Sequence, residues 1–203
     1  MIKSPPIAAP RRTRDPETKR AALLDAALHL FTEEGYENVS IADIAKRAGI
    51  AVGTVYRFYD NKITLLRAML ESLEDEFVVQ MQSDWSQGGD YSARLERVCL
   101  GLFTLSEKRK PLLRLMSMTT DIVYADSSLP GDRIQAQIRL MYGDGLRDGA
   151  FLNGDIPLMA SMAHGLVEGA MMGWMRNSGL SAADAAGQLA SVMKSGFVKN
   201  QRS

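Results

Sequence analysis

Residues 40–62 read SIADIAKRAGIAVGTVYRFYDNK, and this stretch decides the fold of the chain because it specifies two short helices and a tight turn. Ser40 and Asp43 occupy the N-cap and N3 positions of a capping box, which predicts a helix that begins directly after Ser40. Gly49 stands where a helix end needs a left-handed residue. A second short helix, roughly Val52 to Tyr59, follows the turn, so the stretch has the outline of a helix-turn-helix.

The side chains beyond the turn suit the edge of a DNA major groove. Arginine can pair bidentately with guanine, threonine can offer a methyl group to thymine, and tyrosine can reach a phosphate. The residues that form this set are Val52, Gly53, Thr54, Tyr56 and Arg57. A helical hairpin formed only to bury apolar surface does not need such exposed polar side chains on one side. The pattern therefore indicates a DNA-recognition unit.

The chain resembles the tetracycline-repressor (TetR) family of transcriptional regulators. The motif that carries the resemblance is A-x-x-A-G-I-x-x-G-T-V-Y-R-F-Y-x-N-K-x-x-L-L, preceded by the segment ALHLFTEEGY that ends the first helix in that family. The resemblance runs from about Arg20 to Leu66, roughly a quarter of the chain. It implies an N-terminal DNA-binding domain of three helices.

The resemblance also implies roles for individual residues. By this likeness, Ser40 lies at a phosphate-contacting helix cap, and Lys62 grips the DNA backbone from the start of the next helix. The recognition helix then carries Thr54, Tyr56 and Arg57. The family usually has threonine at the position of Ser40 and commonly histidine at that of Arg57, so the operator sequence of a relative does not transfer to this chain.

The charge pattern limits how the chain can bind DNA. The formal net charge of the 203 residues is zero, which excludes a generally basic nucleic-acid coat protein and requires a local basic patch. Residues 1–14 contain three prolines and three arginines and are predicted to be a flexible basic arm. Such an arm can enter a minor groove, although a plain solvated terminus is an equally good interpretation.

The remaining helical periodicity predicts an all-α protein of about nine helices. The domains are predicted to be a helix-turn-helix DNA-binding domain at 15–61 and a larger effector-binding and dimerisation domain at 62–203. Helices one to nine are expected at about 16–34, 41–48, 52–59, 62–84, 91–108, 111–122, 132–148, 157–177 and 182–198. The fourth helix joins the two domains.

Three glycines at a spacing of four residues mark one face of the eighth helix. Glycine costs on the order of 1 kcal/mol against alanine within a helix, so the repeat indicates close packing against a partner helix. The spacing leaves open whether that partner is internal or in a second subunit, but the resemblance implies dimerisation through the two C-terminal helices. The predicted homodimer interface comprises Gly165, Gly169, Gly173, Trp174, Leu189, Met193 and Phe197.

A small-molecule effector site is implied by the same resemblance, among helices four to eight. Ten of the twelve methionines follow residue 80, and methionine suits adaptable apolar pockets, although each one singly is more often core filling. The candidate ligand-binding residues are Phe77, Phe103, Met116, Tyr142, His164 and Glu168. The expected effector is largely apolar, either aromatic or of acyl type.

Enzymatic chemistry finds little support in the sequence. The chain has two histidines and one cysteine, Cys99, so it has no zinc-ligand spacing, and it has no nucleophile elbow, P-loop or dinucleotide fingerprint. We therefore predict no catalytic residues, no metal and no cofactor. Cys99 lies in a helical pattern, which favours buried packing over a reactive thiol. The lack of a signal peptide or a long apolar run predicts a cytoplasmic protein without a membrane partner.

These observations favour a ligand-responsive transcriptional regulator, a repressor that binds a palindromic operator as a homodimer. One alternative is an all-α small-molecule carrier or enzyme in which the N-terminal helices are only structural. Another is an architectural DNA binder without an effector. Salt dependence separates the first two, because each neutralised phosphate adds about 0.9 to the log–log slope of duplex binding and a carrier has no such affinity.

Overall fold

The computed structural model describes residues 15–124, 132–177 and 179–199, and the predicted arm at 1–14 lies outside these ranges. Across the described residues the chain forms α1 (Pro16–Glu34), α2 (Ile41–Ala48), α3 (Val52–Val55), α4 (Lys62–Ser86), α5 (Tyr91–Lys108), α6 (Lys110–Tyr124), α7 (Asp132–Arg147), α8 (Ile156–Asn177) and α9 (Ala182–Phe197). The prediction of an all-α protein is confirmed. None of the helices in these ranges is long and apolar enough to cross a membrane.

Most helix starts agree with the sequence because they are set by local caps. The Ser40 hydroxyl accepts a hydrogen bond from the Asp43 amide, and the Asp43 carboxylate accepts one from the Ser40 amide, which completes the capping box. Asp90 accepts the Ala93 amide at 2.8 Å and so caps α5. These bonds satisfy amides that have no partner within the helix, using residues three positions away.

The third helix is four residues shorter than the predicted range of 52–59. It ends at Val55, and Tyr56 and Arg57 lie in the turn that follows. The amides of Arg57 and Phe58 donate to carbonyls three residues back, so the chain tightens after Val55. Tyr59 is thereby buried, and its hydroxyl accepts a hydrogen bond from Arg20 at 2.9 Å. This tertiary contact overrides the helical propensity of the segment.

The contacts divide the chain into two compact units, with the boundary between Leu65 and Leu66 inside α4. The sequence-based boundary lies four residues earlier, between residues 61 and 62. The first unit packs α1 against α2 and α2 against α3. Its most deeply buried side chains are Leu23, Ala27, Phe31, Ile44, Ala45, Val55 and Leu65.

The second unit is organised around Phe151, which lies between α7 and α8 in the chain. Its ring packs at 5.2 to 6.4 Å from those of Trp85, Tyr91 and Tyr142. An isolated antiparallel bridge to Val198, just after α9, holds the backbone here. The residues before α8 are therefore tied to the end of α9, and the aromatic cluster joins α4, α5 and α7.

Cys99 is part of the same buried core, as predicted. The residue is 1% exposed. Burial, reinforced by the nearby carboxylate of Glu96, raises the pKa of its thiol to about 12. The thiol therefore stays neutral at physiological pH, and the prediction of buried packing is confirmed.

We expect Gly145→Ala to destabilise the second unit. A Cβ atom at this position of α7 would lie 2.5 Å from the ring of Phe151, and overpacking of this kind costs about 1–3 kcal/mol. Chemical denaturation followed by tryptophan fluorescence measures the loss, because Trp85 packs against Phe151 at 6.4 Å between ring centroids.

Gly143→Ala is the matched control on the same helix. A Cβ atom there has no neighbour within 4 Å, so the substitution should be neutral or stabilise the unit by about 0.5–1 kcal/mol. Equal stabilities of the two variants would contradict the close packing of Phe151 against α7.

Candidate functional site

The turn between α2 and α3 is built on the left-handed conformation of Gly49, which has φ of 66°. The amide of Ile50 donates to the carbonyl of Ala45 at 3.0 Å, which closes the end of α2. The buried face of α2 comprises Ile41, Ile44, Ala45 and Ala48. Both the direction of α2 and the start of α3 are therefore set by packing on one side and by a glycine turn on the other.

The side chains predicted to meet DNA lie on α3 and on the turn that follows it. Val55 is buried, whereas Val52 and Tyr56 are exposed on the other side, at 41% and 53%. A Cβ atom added at Gly53 would meet nothing within 4 Å, so the backbone here is open to close approach. Arg57 is exposed and forms no hydrogen bond or ion pair with any described residue. Thr54 is half-buried at the edge of this surface.

A basic pair that the sequence analysis did not select lies in the last turn of α2. Lys46 and Arg47 are both exposed and directly precede the turn. Their adjacency to Gly49 is the sequence signal that could have identified them. Cations at a helix C-terminus also complement the helix dipole, so the pair fits its position irrespective of DNA.

Ser40 and Lys62 have other partners than the phosphates that the resemblance implies. The Ser40 hydroxyl donates to the Asp43 carboxylate at 2.5 Å and is engaged in the capping box. These hydrogen bonds from Ser40 lower the pKa of the Asp43 carboxyl. The cap is thus strongest above the usual aspartate pKa, and its contribution is lost as pH falls through the lowered value.

The ammonium group of Lys62 lies inside the loop between α1 and α2. Its Nζ donates to the carbonyl oxygens of Tyr36 at 2.7 Å, Val39 at 3.0 Å and Glu37 at 3.2 Å. It also lies 4.3 Å from the centre of the Tyr36 ring. A lysine has three donor hydrogens, and all three are used here. In this geometry Lys62 positions the loop before α2 and has no hydrogen left for a phosphate.

The second unit contains an apolar cavity of about 330 Å³ among α4 to α9. Five of the six predicted ligand-binding residues line it, namely Phe77, Met116, Tyr142, His164 and Glu168. Phe103 does not line it, because its ring packs instead at 5.3 Å from that of Trp174. Trp85 and Phe151 also line the cavity, and no periodic signal in the sequence had marked them. A role in ligand binding stays a prediction for all of these residues.

The predicted dimer interface separates into an open and a buried part. Gly165, Gly169 and Gly173 are exposed, and a Cβ atom at each would meet nothing within 4 Å. In contrast, Leu189, Met193 and Phe197 are at most 8% exposed within one chain, because α9 packs against α5. Trp174 is half-buried against Phe103 and donates its indole N–H to the carbonyl of Leu180. The assignment of Leu189, Met193 and Phe197 to a dimer interface stays a prediction, although these side chains are already buried within one chain.

The comparisons with known proteins agree on one family. A family model described as bacterial regulatory proteins, tetR family, matches residues 23–69. The HTH-type transcriptional repressor KstR of Mycolicibacterium smegmatis is 32% identical over 133 residues, which are 64% of this chain and 64% of that protein. The chain thus spans less than two thirds of the length of that relative.

Two further comparisons cover more of the chain. The fatty acid metabolism regulator protein of Bacillus subtilis is 24% identical over 168 residues, covering 78% of this chain and 84% of that protein. The solved structure of the transcriptional regulator FadR from Bacillus subtilis, in complex with stearoyl-CoA, is 22% identical with a TM-score of 0.73. It covers 87% of this chain and 98% of that chain, and at this identity it shows the fold alone.

A helix-turn-helix unit, followed by a helical unit with an apolar cavity, is the arrangement expected of a ligand-responsive transcriptional regulator. The matched motif, the relatives and the shared fold all agree with this class. Residues 23–69 match the tetR family of bacterial regulatory proteins, and the chain as a whole is similar in fold to a solved transcriptional regulator.

We expect Lys62→Met to loosen the loop before α2. The variant leaves three carbonyls without their cation, and hydrogen bonds to a charged group contribute roughly 1.5–3 kcal/mol. Amide hydrogen exchange in residues 36–43 should therefore accelerate by at least about tenfold. Mass spectrometry of peptides from the exchanged full-length protein measures this rate.

Lys46→Met provides the comparison, because that side chain is exposed at the end of α2 and the loop does not depend on it. Its exchange rates in residues 36–43 should equal those of the unmodified chain. Unchanged exchange in Lys62→Met, together with a salt slope of DNA binding lowered by about one, would instead assign Lys62 to a phosphate.

Proposed function

We propose that the protein represses transcription by binding a palindromic DNA operator as a homodimer, and that a small, largely apolar effector releases it. The open surface of α3 carries this proposal. Gly53 leaves the backbone accessible, and the side chains of Tyr56 and Arg57 are exposed next to it. These exposed side chains do not contribute to the packed core of the first unit.

In the proposed complex, base reading and backbone binding fall to different residues. The free guanidinium of Arg57 reads a guanine bidentately, and Thr54 contacts a base edge from the side of α3. Tyr56 reaches a phosphate, as do Lys46 and Arg47 at the end of α2. At Val52 and Gly53 the surface is open, so the edge of the major groove can approach the backbone of α3. Ser40 and Lys62 act indirectly, because their capping and loop contacts hold α2 in place.

The proposed dimer uses the outer face of α8. Three exposed apolar side chains, Leu158, Met162 and Leu166, are 59%, 52% and 39% exposed on this helix. Gly165 and Gly169 lie among them and allow a second backbone to approach closely. Exposed apolar patches of this kind mark interaction surfaces. The two-fold axis of such a dimer would match two operator half-sites about 34–36 Å apart.

The proposed release mechanism passes through α4. This helix contributes Leu73, Phe77 and Trp85 to the cavity and begins at Lys62, whose ammonium holds the loop before α2. A ligand that favours a displaced α4 by the usual coupling of about 1–3 kcal/mol would lower operator affinity roughly 5- to 150-fold. The complex of the Bacillus subtilis regulator with stearoyl-CoA supports an effector site in this kind of fold.

Operator binding should depend on Arg57. Arg57→Ala removes one bidentate base contact, so we expect it to cost about 1–3 kcal/mol on the operator and much less on random DNA. Fluorescence anisotropy with the duplex upstream of the protein's own gene and a scrambled duplex, over a salt series, measures both affinities.

Arg139→Ala is the control for this experiment, because Arg139 is an exposed arginine on α7, outside the helix-turn-helix unit. It should bind both duplexes as the unmodified protein does. Equal losses of Arg57→Ala on specific and random DNA would contradict base reading by Arg57. No salt-sensitive duplex binding by the unmodified protein would favour the carrier alternative.

The dimer should depend on the glycine face of α8. Gly169→Arg adds a bulky cation to the proposed interface, whereas no described residue of the same chain lies within 4 Å of a Cβ atom there. We therefore expect a folded monomer. Sedimentation equilibrium measures the molecular mass, and Gly143→Arg on α7, which also has open space, should remain dimeric. A dimeric Gly169→Arg protein would place the interface elsewhere.

A further inference from the structure

The lining of the apolar cavity is divided between an apolar interior and an acidic, more exposed edge. The interior is formed by buried side chains such as Phe77, Met141 and Tyr142. The charged lining residues are more accessible, since Glu74 is half-buried and both Asp132 and Glu168 are exposed. A bound molecule would therefore place its apolar part inward and its polar part beside these carboxylates.

The charges at this edge all have one sign. Among the described residues that line the cavity, the acidic side chains are Glu74, Asp132 and Glu168. The lining also contains His164 but no lysine or arginine. Arg133 follows directly in α7 and does not line the cavity; it forms an ion pair with Asp75 and also attracts the carboxylate of Glu74. A cleft lined by one sign of charge concentrates ligands of the opposite sign.

Not all of these carboxylates are satisfied within the protein. Glu74 accepts the amides of Arg133 at 3.0 Å and Ile134 at 3.4 Å, at the start of α7. Glu168 and its neighbour on the same helix face, His164, form no hydrogen bond or ion pair with any described residue. These two side chains line the cavity and are free to bind a ligand.

We propose that this cavity binds an amphipathic organic cation, with its apolar body among the aromatic and methionine side chains and its ammonium group beside Glu168. The proposal rests on the proposed function in taking the cavity as the effector site. Its volume of about 330 Å³ is within the range of small-molecule sites. Among the described residues, no group of three histidine, cysteine, aspartate or glutamate side chains is arranged to hold a metal ion.

The negative charges that line the cavity indicate a different ligand from the one in the stearoyl-CoA complex of similar fold. The phosphates of stearoyl-CoA are anions that need cationic partners, whereas an anionic head group would face three carboxylates here. Placing an anionic head group beside these carboxylates is unfavourable, and like-charge repulsion of this kind is one way in which a site discriminates against a ligand. The cavity therefore selects against fatty acids and acyl-CoA esters.

A matched series of three ligands tests the proposal on the full-length protein. Decylamine, 1-decanol and decanoate share one apolar chain and carry a positive, a neutral and a negative head group at pH 7. Isothermal titration calorimetry gives each affinity, and quenching of Trp85, which lines the cavity, gives an independent signal. Decylamine should bind roughly five- to tenfold more tightly than decanol, because one exposed ion pair contributes at most a factor of about five and several carboxylates act here.

Glu168→Gln identifies the residue responsible. The side chain is exposed, so the variant should fold normally, lose most of the preference for decylamine and bind decanol unchanged. Glu107→Gln is the control, because Glu107 is exposed on α5 and does not line the cavity. The preference for the amine in the unmodified protein should also decrease as salt rises.

Three outcomes would overturn the proposal: decanoate binding as tightly as decylamine, Glu168→Gln weakening all three ligands alike, or no binding of decylamine. Operator release is measured separately, by adding decylamine to the protein–operator complex in the anisotropy assay. Binding of decylamine without release would leave the ligand class intact and contradict the proposed effector function instead.

Discussion

The hydrogen bonds of the Lys62 ammonium group hold the loop between α1 and α2 of the first unit beside the start of α4. This group contacts three carbonyl oxygens of the loop, directly before the Ser40 cap. A second long-range contact, from Arg20 to the hydroxyl of Tyr59, holds the chain just after α3. The helix-turn-helix is thus fastened at its beginning and at its end, while the surface of α3 between these points stays open.

In the second unit, the position of Phe151 has a comparable effect. Gly145 allows its ring to approach α7, and the bridge to Val198 holds its backbone beside the end of α9. The ring then closes one part of the apolar cavity together with Trp85. The cavity therefore results from packing among distant segments, and its acidic edge arises because α4, α7 and α8 each contribute one carboxylate.

The two C-terminal helices both have an apolar face in the sequence, but these faces differ in their exposure to solvent. The apolar face of α9 is buried against α5, whereas the glycine face of α8 is exposed. Hydrophobic periodicity shows that a helix has an apolar face, but it does not show whether that face meets the same chain or another. The sequence therefore did not reveal that Leu189, Met193 and Phe197 are buried within a single chain.

The sequence by itself determined the features that depend on residues within about four positions of one another. The capping box at Ser40, the left-handed turn at Gly49 and the starts of most helices follow from such local hydrogen bonds. The tertiary structure alone decided the early end of α3, the three carbonyl partners of Lys62 and the acidic edge of the cavity. The physical reason is that these features join residues more than twenty positions apart, and neither periodicity nor capping chemistry carries information about which distant segments meet.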